Sequence, residues 1–228
     1  MNYSDFQIEL TRLVDDDYRD FAIKGILTNY AFLGVRTPDL RALAAKIVKN
    51  GNAADFLNLS PKSYEELTIQ GFIIAHLPYE EMKKLLPNYI KKVDNWATTD
   101  MVVSSLKSIK KHQEDFLDEI DQFLKSSHEF TVRTGLVCLK SYYVTPEYLA
   151  VIFDRIKEVK DREEYYIRMA IAWLMAECFI KFPDETYEFL SSKILPVWTQ
   201  NKTISKIRDS YRVPKEIKDA LLELKAKP

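Results

Sequence analysis

Four residues have the type and spacing to do chemistry. In VDNWATTDMVVSSLKS, Trp96 and Asp100 stand four positions apart, so a helix brings an aromatic ring and a carboxylate to one face. Val103 and Lys107 continue that spacing, and Val93, Ala97 and Met101 form the neighbouring packing seam. A helix that only packs has no need of this mixed surface; the plainer alternative is a core tryptophan with a solvated acid. Arg133 interrupts an apolar helix carrying Val132, Leu136, Val137 and Leu139. Its guanidinium could hold a phosphate in bidentate fashion, or it could snorkel or pair with an acid. Trp173 lies in a segment apolar nearly all round, where a ring serves as readily in the core as in a site.

Other chemistries lack their residues. Cys138 and Cys178 sit 40 positions apart within apolar patterns, there is no CxxC pair, and His76, His112 and His128 are scattered among polar neighbours. Neither a zinc site nor a disulfide framework is expected, no metal or cofactor is implied, and both cysteines read as small buried hydrophobes.

The elements that must position the four residues are helical. Five glycines in 228 residues (Gly25, Gly34, Gly51, Gly71 and Gly135) are too few for the turns of most β or α/β folds, and Leu, Ile, Lys and Glu abound. Thr37-Pro38, Ser60-Pro61 and Thr145-Pro146 each place a hydroxyl before a proline, the pattern of a capped helix start. One helix follows Pro38 and closes at Asn50-Gly51. Others are predicted over roughly 4–14, 17–29, 62–76, 79–92, 94–107, 113–125, 129–143, 146–160, 162–181, 184–193, 203–210 and 215–225. The helix over 162–181 has Tyr166, Met169, Ala170 and Trp173 on one side and Ile167, Ile171, Leu174 and Cys178 on the other, so both sides must be covered.

Trp96, Arg133 and Trp173 recur at intervals of 37 and 40 residues. That interval fits two-helix repeats of the HEAT/armadillo class, whose equivalent helices line one face. The expectation is an all-α, right-handed solenoid with a concave groove, an alpha-alpha superhelix forming one domain over residues 1–228.

Composition is that of an ordinary soluble protein, with 46% hydrophobic and 29% charged residues. The net charge of −1 conceals a local excess of four negative charges over residues 1–20 and of four positive charges over residues 199–228. Lys107, Lys110 and Lys111 lie in a stretch, 101–112, that holds no acid. Such asymmetry permits a polyanion on one surface. The N-terminus has no basic start followed by an apolar run, and the greasiest stretch, Ile167 to Ile180, is broken by Arg168 and Glu177. A cytoplasmic protein with no membrane association is expected.

Taken together, these motifs resemble the AlkD family, bacterial HEAT-like-repeat DNA glycosylases that remove alkylated purines. LGVRTPDLRALA (33–44) is similar to the family's L-G-I/V-x-T-P-x-x-R stretch, and NWATTD (95–100) matches W-x-x-x-D. VRTGLVCLKSYY puts Arg133 at the family's arginine, YYIRMAIAWLMAE (165–177) matches the helix of the second tryptophan, and NKTISKIRDSYRV (201–213) resembles the lysine-rich last repeat. The resemblance covers essentially the whole chain. It implies that Asp100 stabilises positive charge developing on the deoxyribose while Trp96 and Trp173 pack against the sugar and backbone. It also implies that Arg133, with Lys107, Lys202 and Lys206, holds DNA. The partner would be double-stranded or branched DNA and the protein a monomer.

The sequence departs from the pattern at several points. Ala97 and Thr98 stand where active members carry a second tryptophan and an acid, and Ala176 stands where they carry an arginine. VDDDYRD occupies the early region that active members send into the minor groove, and its sign is wrong for phosphate. Three readings follow: a monofunctional alkylpurine glycosylase, a sister-branch relative that binds DNA weakly and excises little, and a solenoid scaffold for a protein partner.

Overall fold

In a computed structural model of the protein, which describes residues 2–227, two compact units form, Met1–His112 and Gln113–Pro228. The protein is all-α. Among the described residues no strand forms, and the extended pairs are two isolated bridges, Val14 with Val35 and Ala31 with Ser63.

The first unit contains α1 (Tyr3–Arg12), α2 (Asp16–Ala22), α3 (Thr37–Lys49), α4 (Ala53–Leu57), α5 (Tyr64–His76), α6 (Tyr79–Ile90) and α7 (Trp96–Val103). Side-chain caps start four of them. Asn2, Asp15, Ser63 and Asn95 accept from the backbone N–H three residues on, occupying donors that the first helical turn leaves open. α5 is the hub, packing on α3, α4, α6 and α7. Leu67, Ile69, Phe72, Ile73 and Ile74 are all buried there, so apolar surface is covered on every side. Gly71 permits the close approach: a Cβ at that position would collide with the Tyr89 ring of α6 and with Val102 of α7.

The LGVRTPDLR stretch has a structural explanation. Glu65, fully buried on α5, accepts from the backbone N–H groups of Leu33 (3.0 Å), Gly34 (2.8 Å) and Val35 (3.4 Å). A buried carboxylate is tolerable only with such donors around it. Gly34 has φ +94°, and a Cβ there would strike Arg19 and the Asp15 carbonyl.

The second unit contains α8 (Gln113–Leu124), α9 (Glu129–Cys138), α10 (Leu149–Val159), α11 (Tyr165–Lys181), α12 (Pro183–Ser191), α13 (Val197–Asp209) and α14 (Lys215–Ala220). α9 runs on into a π-helical turn, Leu139–Tyr143. α11 packs on α9, α12 and α13, and α8 packs on α9. In both units, then, alternate helices touch in succession, α3–α5–α7 and α9–α11–α13, with the intervening helices beside them. This is the pairing of stacked two-helix repeats. The apolar α11 is covered as its composition requires, with Ile167, Ile171, Ala172, Leu174, Met175 and Cys178 inaccessible.

Several sequence expectations need correction. α2 stops at Ala22 instead of continuing to 29, because Asp94 draws the chain away: it accepts from Thr28 Oγ1 (2.7 Å) and Asn29 N (2.6 Å). Thr37 is not a cap; its hydroxyl lies 3.2 Å from Met101 Sδ. α5 begins after Ser63, three residues beyond Ser60. Pro146 opens one 3-10 turn before α10. α13 starts at Val197, six residues before the expected 203, and the short α4 was not foreseen. Among the described residues no helix is long and apolar enough to cross a membrane.

Candidate nucleic-acid interface

The first unit holds Trp96 and Asp100 on α7. Of the eight residues of that helix, Ala97, Thr98, Thr99, Val102 and Val103 are buried. Trp96 is 36% exposed, and Asp100 and Met101 are half-buried. The ring and carboxylate therefore reach the surface together, one turn apart, on a helix otherwise sunk in its unit.

That helix is held at both ends. At its start, the buried Asn95 side chain accepts from Thr98 N at 2.8 Å. At its end, Arg41 of α3 donates through Nη2 to the Met101 carbonyl (3.3 Å) and through Nη1 to Ser105. The guanidinium joins Ser104 Oγ (2.7 Å) and Ser105 Oγ (2.8 Å), which also donate to that last-turn carbonyl. Trp96 itself is fixed by its indole Nε1, which donates to the Gly25 carbonyl at 2.8 Å.

Ala97 and Thr98, where the sequence lacks a second ring and an acid, point into the core. Ala97 packs in a cluster with Ala22, Ile26 and Tyr64. Thr98 shares a hydroxyl–hydroxyl bond with Thr68 at 3.2 Å. Neither position offers surface to a ligand in this chain.

The expected continuation of the α7 face through Val103 and Lys107 does not occur. Val103 is buried, the helix ends there, and Lys107 lies in a following 3-10 turn. Lys107 instead lines a cleft of about 440 Å3 with Arg41, Ala42, Ala45, Phe72, Ala75, His76 and Ser105. Arg41 lies 4.2 Å from the Phe72 ring centroid there, and partial burial lowers its pKa from the ordinary arginine value.

The second unit holds Arg133 and Trp173. Arg133 on α9 is only 5% exposed, and its Nη1 donates to the Tyr166 carbonyl at 2.9 Å. Glu129, also on α9, accepts from Tyr166 N at 2.7 Å. The two α9 side chains thus grip the first turn of α11. Trp173 on α11 is half-buried, and the Lys140 ammonium lies 3.6 Å from its ring centroid, a cation on an electron-rich face.

Trp173 lines a cleft of about 270 Å3 with Ala176, Glu177, Lys206, Asp209 and Arg212 among others. Arg212 grips Glu177 bidentately, at 3.2 and 2.9 Å, and holds that carboxyl below its ordinary pKa. Lys206 is lowered from the usual lysine value, first by burial and then by Lys202. Its approach to Arg133 adds to the same shift. Arg133 and Lys202 therefore both lie near Lys206 within the second unit.

Arg41, Lys140 and Arg212 lie inside the motifs quoted from the sequence, but none is singled out there as a site residue. Lys140 had a usable signal, since it stands seven residues after Arg133 and so returns to the same helical face. Arg212 comes from outside α11, and its signal is its place in the basic NKTISKIRDSYRV stretch. A cation does stand in the cleft beside Ala176, although that position carries no arginine.

The DNA alkylation repair enzyme family profile matches residues 7–209. No match is found among the curated proteins. A solved structure from Enterococcus faecalis, described as a "Predicted DNA alkylation repair enzyme", matches with a TM-score of 0.62 at 15% sequence identity. The match covers 79% of this chain and 90% of that one, and at such low identity it shows a shared fold. With the family profile running through both units on a helical frame of that fold, the chain belongs to the DNA alkylation repair enzyme family.

Proposed function

We propose that the protein binds DNA and hydrolyses the N-glycosidic bond of purines made cationic by N3 or N7 alkylation. The observation that carries this reading is the surfacing of Trp96 and Asp100 side by side on the otherwise buried α7. An alkylated purine already has a good leaving group. The bond from C1′ to the base nitrogen breaks, the neutral base departs with the bonding pair, and water adds to C1′ with loss of a proton. The remaining barrier is charge developing on the sugar. A fixed carboxylate lowers it, by an amount of order a few kcal/mol when held in place beforehand.

In this reading Asp100 supplies that charge, and the faces of Trp96 and Trp173 pack on the sugar and backbone. Lys206 and Lys202 meet phosphates, and Arg133, bonded to the Tyr166 carbonyl, adds positive potential beside them. Lys107 contacts DNA from its own cleft. The family profile crosses both units, which supports treating residues 1–228 as one functional domain. The protein would act as a cytoplasmic monomer, without metal or cofactor.

A second reading, DNA binding with little excision, draws support from α2. Asp16 and Asp20 are largely exposed there, on the segment that leads to the Gly25 carbonyl holding Trp96. Negative charge at that place repels phosphate.

One experiment separates the two. Stoichiometric protein is incubated with duplex containing 7-methylguanine, and free base is measured beside an Asp100→Asn control. Release abolished by the substitution supports excision through Asp100. Release that survives it removes Asp100 from the reaction, and no release from the unmodified protein, with binding intact, leaves the second reading.

A further inference from the structure

At the N-terminal end of α13 the second unit exposes an aromatic shelf that the excision chemistry does not use. Trp198 is 36% exposed and Tyr165, at the start of α11, is 52% exposed. Their rings meet edge to face, with centroids 5.9 Å apart. The Arg168 guanidinium lies 4.6 Å from the Trp198 ring centroid, and its Nε is buried without a hydrogen-bond partner. Trp198 also lines an open cleft of about 510 Å3 with Val197, Asn201, Lys202 and Ser205.

The α13 side of this shelf carries one sign of charge, while Glu163 and Glu164 precede Tyr165 on the other side, Glu164 being paired with Arg162. No Asp or Glu occurs over positions 189–208. Trp198, Lys202 and Lys206 are spaced four apart on α13, so ring and ammonium groups follow one another along a single face, about 6 Å per step. Burial first, and then the neighbouring Lys202, lower the proton affinity of Lys206, so the two ammonium groups lie close together. A buried apolar partner would have no use for these cations, and a duplex presents no exposed base face to the rings. Flat rings followed by a row of cations suit a strand whose bases are unstacked and whose phosphates continue past them.

We propose that the Tyr165–Trp198 shelf, with Arg168 and Lys202, stacks an unpaired base of a single-stranded DNA segment adjoining the duplex. This rests on the DNA-binding reading above and deepens it: the preferred ligand is duplex DNA carrying a single-stranded end, not a uniform duplex.

The test compares anisotropy titrations of a labelled blunt duplex and the same duplex bearing a short thymidine overhang. The overhang is expected to bind roughly tenfold more tightly, the scale of one base stacked on an aromatic ring. Trp198→Ala should abolish that preference and leave blunt-duplex affinity within about twofold, whereas Trp198→Phe, which keeps a ring, should retain most of it. Lys202→Glu should weaken both ligands. Thermal melting of each variant checks folding, and quenching of tryptophan emission by oligothymidine, lost in Trp198→Ala, gives an independent stacking signal. Equal binding of both duplexes, or a preference that survives Trp198→Ala, overturns the proposal while leaving DNA binding intact. Binding to neither duplex overturns the DNA-binding reading and the shelf with it.

Discussion

The indole Nε1 of Trp96 and the carbonyl oxygen of Gly25 are joined by a 2.8 Å hydrogen bond across 71 positions of sequence. The bond couples the candidate site to the segment after α2, which carries Ile23 and Leu27 at the surface, with Phe21 76% exposed on α2 itself. Trp96→Phe keeps the ring and removes the donor. The expected cost is about 1 kcal/mol of stability, with faster amide exchange over residues 23–30 and unchanged exchange in α5. Unaltered exchange at 23–30 would show that the bond does not hold the segment.

The carboxylate of Glu65 and the backbone of Leu33–Val35 form the second testable unit. Glu65→Ala leaves buried N–H groups without an acceptor and should cost about 1–3 kcal/mol in urea unfolding. Gly34→Ala acts on the same loop through backbone strain and collision, and should cost a similar amount or more. Because both substitutions disrupt one loop, their combined cost should fall short of the sum of the two.

These two pairs show what could be read from the chain and what could not. The apolar spacing of α5, α6, α8 and α11 marks those helices within a few residues, since burial imposes periodicity on neighbours in sequence. Sequence spacing carries α2 on to residue 29, whereas its true end is decided by Asp94, 65 positions away from Asn29. Ser60-Pro61 carries a capping signature, yet Ser63 takes the role. At the site, Trp96 and Asp100 were legible from a spacing of four. Their isolation on a buried helix was not, nor was the burial of Ala97 and Thr98, because both depend on how α7 meets α5 and the Ala22–Ile26 cluster.

The Arg212–Glu177 pair makes a pH-dependent prediction. Arg212 lowers the folded-state pKa of Glu177, so the pair's stabilisation is fully present above the unfolded glutamate pKa of about 4.3. It is lost as pH falls through the lower folded value. Arg212 is largely exposed, which limits the contribution to no more than about 1 kcal/mol. Glu177→Gln should therefore lower the urea midpoint at pH 7 and lower it less at pH 3. An equal effect at both values would exclude the ion pair as its source.

Cys138 and Cys178 give a further check. Both thiols are free and buried; desolvation pushes Cys178 up to about 12 and Cys138 higher still. The thiolate is the reactive form, so neither should react with a disulfide reagent at pH 8 in the native protein, and both should react in denaturant. Prompt native labelling of either would contradict the packing of α9 or α11.

The sunken setting of α7 divides its positions into two kinds. Substitutions at Ala97, Thr98, Thr99, Val102 and Val103 act on a helix that the core encloses, so loss of activity there will be accompanied by loss of folded protein. At Trp96 and Asp100 the two can separate. Natural variation tolerated in α7 without collapse of the first unit should therefore gather at 96, 100 and 101, where the chain can change what it does to a ligand while keeping its shape.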